Sequence, residues 1–123
     1  MSLSTHVLDA ALGQPAAGVA VRWESRSADG SWTVTAHGTT DADGRVSGDA
    51  WRHPGGVAAP GPSPAPSAGP AAGRHRLVFD VEDRSAFFPE VTVTFDVAAG
   101  RAGERHHVPL LLSPYAYSTY RGS

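Results

Sequence analysis

The chain reads as an all-β domain, a sandwich or barrel of about eight short strands, on three observations. Apolar residues recur with a period of two, not 3.6, in segment after segment. Gly, Asp, Ser and Pro clusters punctuate those segments at short intervals. No stretch carries a helical stripe longer than about two turns. Short strands with one apolar face each are stable only when stacked or closed into a barrel.

Leu3 to Asp9 opens the series, with Leu3, Thr5 and Val7 on one face and Ser4, His6 and Leu8 on the other. Val19, Val21 and Trp23 alternate with Ala20, Arg22 and Glu24; Trp32, Val34 and Ala36 alternate with Thr33, Thr35 and His37. Ser27-Ala28-Asp29-Gly30 between them is turn chemistry. A short strand follows the Asp43-Gly44 turn, within Arg45 to Trp51. Leu77, Phe79 and Val81 alternate with Arg76, Val78 and Asp80, and Val91, Val93, Phe95 and Val97 alternate with Thr92, Thr94 and Asp96. Asp83 to Phe88 has room for one turn of helix at most before Pro89 stops it. Arg105 to Leu112 and Tyr115 to Tyr120 complete the set.

At 123 residues the chain is a single domain, 1–123. Pro54 to Gly73, almost wholly Pro, Gly, Ala and Ser, buries too little side chain to offset its ordering and reads as a flexible loop inserted between two strands. A net charge of −2 without a basic stripe argues against a nucleic-acid partner. There is no cysteine, hence no disulfide and no thiolate chemistry. The first residues lack the basic and apolar regions of a signal peptide, and no apolar run approaches the ~20 residues of a membrane span. The expected compartment is the cytoplasm, with no membrane partner.

Strand parity sorts the six histidines. In the strand after Arg105, His106, Val108, Leu110 and Leu112 form the core set, which puts His107, Pro109 and Leu111 on the other face. His6 and His107 therefore point outward, beside Leu8 and Leu111. Histidine with leucine on an outer face suits a surface covered by another subunit, although isolated surface histidines have the same parity. Asp41-Ala42-Asp43-Gly44 opens like a calcium loop but lacks the later ligands, and turn chemistry accounts for it. Arg45, directly after that turn, is placed to meet an anion or a carbonyl. No serine sits in a nucleophile elbow.

Several stretches together resemble the 5-hydroxyisourate hydrolases, a transthyretin-like enzyme family of urate breakdown. They are Leu3-Ser4-Thr5-His6-Val7-Leu8-Asp9, Gly13-Gln14-Pro15-Ala16, Thr40-Asp41-Ala42-Asp43-Gly44-Arg45, Phe87-Phe88-Pro89-Glu90-Val91 and His107 to Pro114. The final Tyr120-Arg121-Gly122-Ser123 is the specific part, because transthyretin resembles this region but lacks that ending. The resemblance implies a transthyretin-like two-sheet sandwich whose protomers form a homotetramer, with sites at the dimer–dimer interface. It implies His6, Arg45, His107 and Ser123 as catalytic residues, with Tyr120 joining them in binding substrate. The implied reaction is opening of 5-hydroxyisourate to 2-oxo-4-hydroxy-4-carboxy-5-ureidoimidazoline, with no cofactor and no metal. The usual helix before Phe87 has room only between Val81 and Ala86, so it is expected to be a single turn or absent. The runner-up is a sandwich of the same shape that binds a small ligand without turning it over.

Overall fold

The computed structural model describes residues 3–53 and 69–122, and among these it forms nine strands in two sheets. In chain order they are β1 (Leu3–Asp9), β2 (Gln14–Pro15), β3 (Ala20–Arg26), β4 (Trp32–Thr39) and β5 (Arg45–Val46), followed by β6 (Gly73–Asp80), β7 (Glu90–Val97), β8 (His106–Leu112) and β9 (Tyr117–Thr119). One sheet runs β2-β1-β8-β9 with β5 also paired to β1; the other runs β4-β3-β6-β7. The expected all-β sandwich is what forms. The only helical element among the described residues is a 3-10 turn at Ala99–Arg101. None of their helices is long and apolar enough to cross a membrane.

The pairing that positions the site is β1 against β8. These strands run parallel over seven residue pairs, Leu3 opposite His106 through Asp9 opposite Leu112. Parallel neighbours need a long crossover, and here the whole second sheet supplies it. The inner faces of the two sheets close over Leu3, Val7, Val21, Val46, Leu77, Phe79, Val91, Leu110 and Leu112. The outer face of β1 carries Ser4, His6 and Leu8, each half-buried, as the alternation predicts.

Two details depart from simple alternation. A bulge between Trp23 and Glu24 leaves Thr35 of β4 unpaired and reverses parity beyond it. Trp32 and Val34 thus share a face with Glu24 instead of with Ala36, and Trp32 lies beneath the Arg76 guanidinium, 4.1 Å from ring centre to charge. Pro109 has outer-face parity but is buried, with its carbonyl accepting from the Thr119 hydroxyl at 2.7 Å. Between Val81 and Phe87 the chain makes one hydrogen-bonded turn, Arg84 and Ser85 both donating to the Val81 carbonyl, and no helix. Most of the Pro/Gly/Ala stretch, 54–68, lies outside the described residues. Its far end is anchored: Pro70 is buried, and Gly69 donates to the Gly103 carbonyl.

Candidate active site

Asp41 builds the turn that delivers Arg45. Its Oδ1 accepts the backbone N–H groups of Asp43 at 2.9 Å and Arg45 at 3.0 Å, an Asx turn that occupies the carboxylate. Gly44 completes it at φ +77°, and its carbonyl accepts the Val7 N–H at 2.7 Å. A Cβ there would lie 2.5 Å from the Val7 carbonyl oxygen, so only glycine lets the turn press against β1. β5 then pairs antiparallel with β1 and sets Arg45 opposite His6.

Two adjacent cross-strand rows result on the outer face. One contains Arg45, His6 and Pro109; the next contains Ser4, His107 and Gly122. In the second row the Ser4 hydroxyl is 2.8 Å from His107 Nδ1. The Gly122 N–H donates to the His107 carbonyl at 2.8 Å. A Cβ on Gly122 would fall 2.4 Å from His107 Cδ2, so a glycine is what lets the tail lie against the imidazole edge.

Ser4, Thr5, Arg45, Val46, Ser47, Arg105 and His107 line a cleft of about 340 Å³. Burial pushes the His107 imidazole below the ordinary histidine value. The charges of His6, Arg45 and Arg105 push the same way, while the Ser4 backbone works against them. The ion pairs among the described residues use Arg22, Arg74, Arg76 and Arg101, so neither cleft guanidinium is neutralised there. The cleft thus combines a base of lowered pKa with two cationic donors, which suits a substrate that is an anion or develops negative charge on oxygen. No three His, Asp or Glu side chains among the described residues converge as a metal-binding group.

The structure brings together Arg45, His6 and His107 of the residues singled out from sequence. Tyr120 does not line this cleft: it borders a second one of about 410 Å³, with Phe95, His106 and Thr119, that touches the other side of His107. Ser123 lies outside the described residues, though Gly122 beside it packs on His107. Sequence reasoning passed over Ser4, Ser47 and Arg105. Ser4 shares its face with His6 by simple alternation, and that was the signal available for it.

The model of the HIUase/transthyretin family matches residues 3–122. The chain belongs to that family. It is 40% identical to a 5-hydroxyisourate hydrolase from Salmonella dublin over 127 aligned residues, spanning 98% of this chain and 80% of the relative. Among solved structures of the family, Klebsiella pneumoniae 5-hydroxyisourate hydrolase superposes with a TM-score of 0.66 at 31% identity, covering 98% of each chain. Sea bream transthyretin in complex with thyroxine superposes with a TM-score of 0.71 at 29% identity, covering 98% of this chain and 93% of that one.

Proposed function

We propose that the protein hydrolyses 5-hydroxyisourate at its N1–C6 amide, a cyclic amide hydrolysis yielding 2-oxo-4-hydroxy-4-carboxy-5-ureidoimidazoline in urate breakdown. The observation that carries this reading is the shared cleft of Arg45 and His107, in a family that includes a hydrolase 40% identical to this chain. His107 takes a proton from water as the oxygen bonds to C6. The N1–C6 bond then breaks, N1 receives that proton, and C6 becomes a carboxyl group that releases its remaining proton to solvent as the carboxylate forms. An imidazole of lowered pKa is unprotonated at neutral pH, as the first step requires. Arg45 holds the substrate's oxygens and stabilises the charge growing at the C6 oxygen. His6, in register beside Arg45, contributes a second imidazole at the cleft's edge. Ser123 and Tyr120 complete the substrate contacts in this reading.

The active form is a cytoplasmic homotetramer with sites at the dimer–dimer interface. Half-buried Leu8 and Leu111, neighbours in register on the outer face beside the cleft, support a covering subunit there. β7 and β9 each end their sheet with an unpaired edge among the described residues, which offers a second kind of contact.

The test is direct. 5-Hydroxyisourate is generated freshly with urate oxidase, and its ultraviolet decay is followed with and without the protein. Strong acceleration over the spontaneous decay is expected. Decay at the spontaneous rate would remove the hydrolase reading and favour a binding module, the reading that the likeness to thyroxine-bound sea bream transthyretin supports.

A further inference from the structure

We infer that Ser4 is the positioning residue for His107: its hydroxyl accepts the Nδ1–H and so leaves Nε2 as the unprotonated nitrogen offered to the cleft. This rests on reading His107 as the base and deepens it by assigning the tautomer and the group that sets it. Ser4 and His107 are direct partners in the parallel β1–β8 pair, so the contact is fixed by backbone register as well as by rotamer choice. The Oγ–Nδ1 distance is 2.8 Å, a full hydrogen bond in a half-buried place.

The ring is held from two sides. Ser4 takes Nδ1, and the Gly122 backbone lies along the Cγ–Cδ2 edge, where even a methyl group would be 2.4 Å from Cδ2. The Ser4 backbone adds a weaker contact to the ring, and no described residue other than Ser4 bonds it, so Ser4 is the one described group that holds the imidazole by hydrogen bonds. A hydroxyl works as donor or acceptor, so distance alone does not choose the tautomer. The charges around the ring decide which role the hydroxyl takes, and the Ser4 hydrogen bond then holds the ring in that tautomer. His6 on β1, Arg45 on β5 and Arg105 just before β8 all act on it as positive groups. The cleft on its other side brings Arg101, Asp96, His106 and Arg121 near the same strand end. Arg45 and Arg105 line the same cleft as His107, and a lone pair on the nitrogen that the Ser4 hydroxyl leaves free is the form their charge favours. Nε2 therefore keeps its lone pair, Nδ1 carries the hydrogen, and Ser4 accepts it. The arrangement parallels other hydrolytic sites in which a hydrogen bond to one imidazole nitrogen frees the other to act as base.

The experiment combines nitrogen-15 NMR of the full chain with steady-state kinetics, the His107 resonances being assigned with His107→Gln. The expected result is an Nδ1–H tautomer in the unaltered protein that is lost or mixed in Ser4→Ala. In that variant kcat should fall about ten- to hundred-fold while KM changes less than about twofold. An imidazolium that has lost its acceptor is harder to form, so the acid limb of the rate profile should move to lower pH. Ser4→Thr, which restores a hydroxyl on a strand-favouring side chain, should recover kcat to within about threefold. An Nε2–H tautomer in the unaltered protein overturns the inference, as does a limb that moves to higher pH in Ser4→Ala, because Ser4 would then be the donor. Should 5-hydroxyisourate not be turned over while the tautomer and its dependence on Ser4 are as described, the hydrolase reading fails and the role of Ser4 stands.

Discussion

His75 and His107 are both partly withdrawn from water, and burial lowers the pKa of each. Their nitrogens are used differently. His75 Nδ1 accepts from Trp23 Nε1 at 3.1 Å and faces the Ser25 hydroxyl at 3.1 Å, while Nε2 donates to the Ala71 carbonyl at 2.7 Å. The indole N–H is only a donor, which fixes His75 in the Nε2–H form and leaves no nitrogen for chemistry. It ties the residues before β6 to the inner face of β3. His107 is engaged by Ser4, at Nδ1 by the hydroxyl, and no other described residue bonds its ring. The arginines divide in the same way. On the outer face of the second sheet, Arg22 and Arg76 both pair with buried Glu24, Arg76 at 2.6 Å, and Trp32 covers Arg76. Beside His107, Arg45 and Arg105 face a cleft with no carboxylate partner among the described residues. A perturbed pKa therefore does not mark the site in this fold; an unsatisfied valence does.

The comparison breaks if the two histidines respond alike to mutation. His107→Ala is expected to lower turnover of 5-hydroxyisourate by about two to four powers of ten with the melting temperature nearly unchanged. His75→Phe should do the reverse: a loss of roughly 1–3 kcal/mol in stability as the Trp23 N–H loses its acceptor, with turnover per folded molecule within about twofold. Denaturant melts and initial rates on both variants decide it. A catalytically dead but stable His75→Phe would erase the distinction.

Glu24→Gln tests the paired arginines. Burial alone would raise the Glu24 pKa, but the hydrogen bonds and charges of Arg22 and Arg76 outweigh it and hold the carboxyl below its ordinary value. A depressed folded pKa contributes stability that is present above the ordinary glutamate range and lost as pH falls through the folded value. The variant should lose about 1–2 kcal/mol at pH 7, discounted for the partial exposure of both arginines, and the deficit should shrink in acid. Urea melts at pH 7 and pH 3 check both parts, and an equal deficit at the two pH values would count against the pairing.

The smallest effect expected is in the pH profile of the unaltered enzyme. Because burial, His6, Arg45 and Arg105 all disfavour imidazolium, the acid limb of kcat/KM should fall below the ordinary histidine value of about 6.5. Arg105→Gln should move that limb up slightly, and a downward move would remove Arg105 from the field acting on His107.

Much of this site is already written in the alternation of the two strands that build it. Ser4, His6 and Leu8 follow from Leu3, Thr5 and Val7 being buried, and His107 and Leu111 follow from Val108, Leu110 and Leu112. The Asp41 to Gly44 turn is equally local, since an Asx turn and a positive-φ glycine depend on few neighbours. Parity nevertheless fails where β4 takes in an extra residue at Thr35, because a bulge is chosen by the fit between two sheets and leaves no mark in one strand's pattern. The partner of each side chain is also invisible along the chain. That β1 lies parallel to β8, more than a hundred positions away, makes Ser4 the neighbour of His107, and only burying both inner faces in one core enforces that register. Alternation thus determined which residues face outward. Tertiary pairing decided which arginine is neutralised, which histidine keeps a free nitrogen, and where the two meet, because hydrogen-bond valence is satisfied through space and not along the chain.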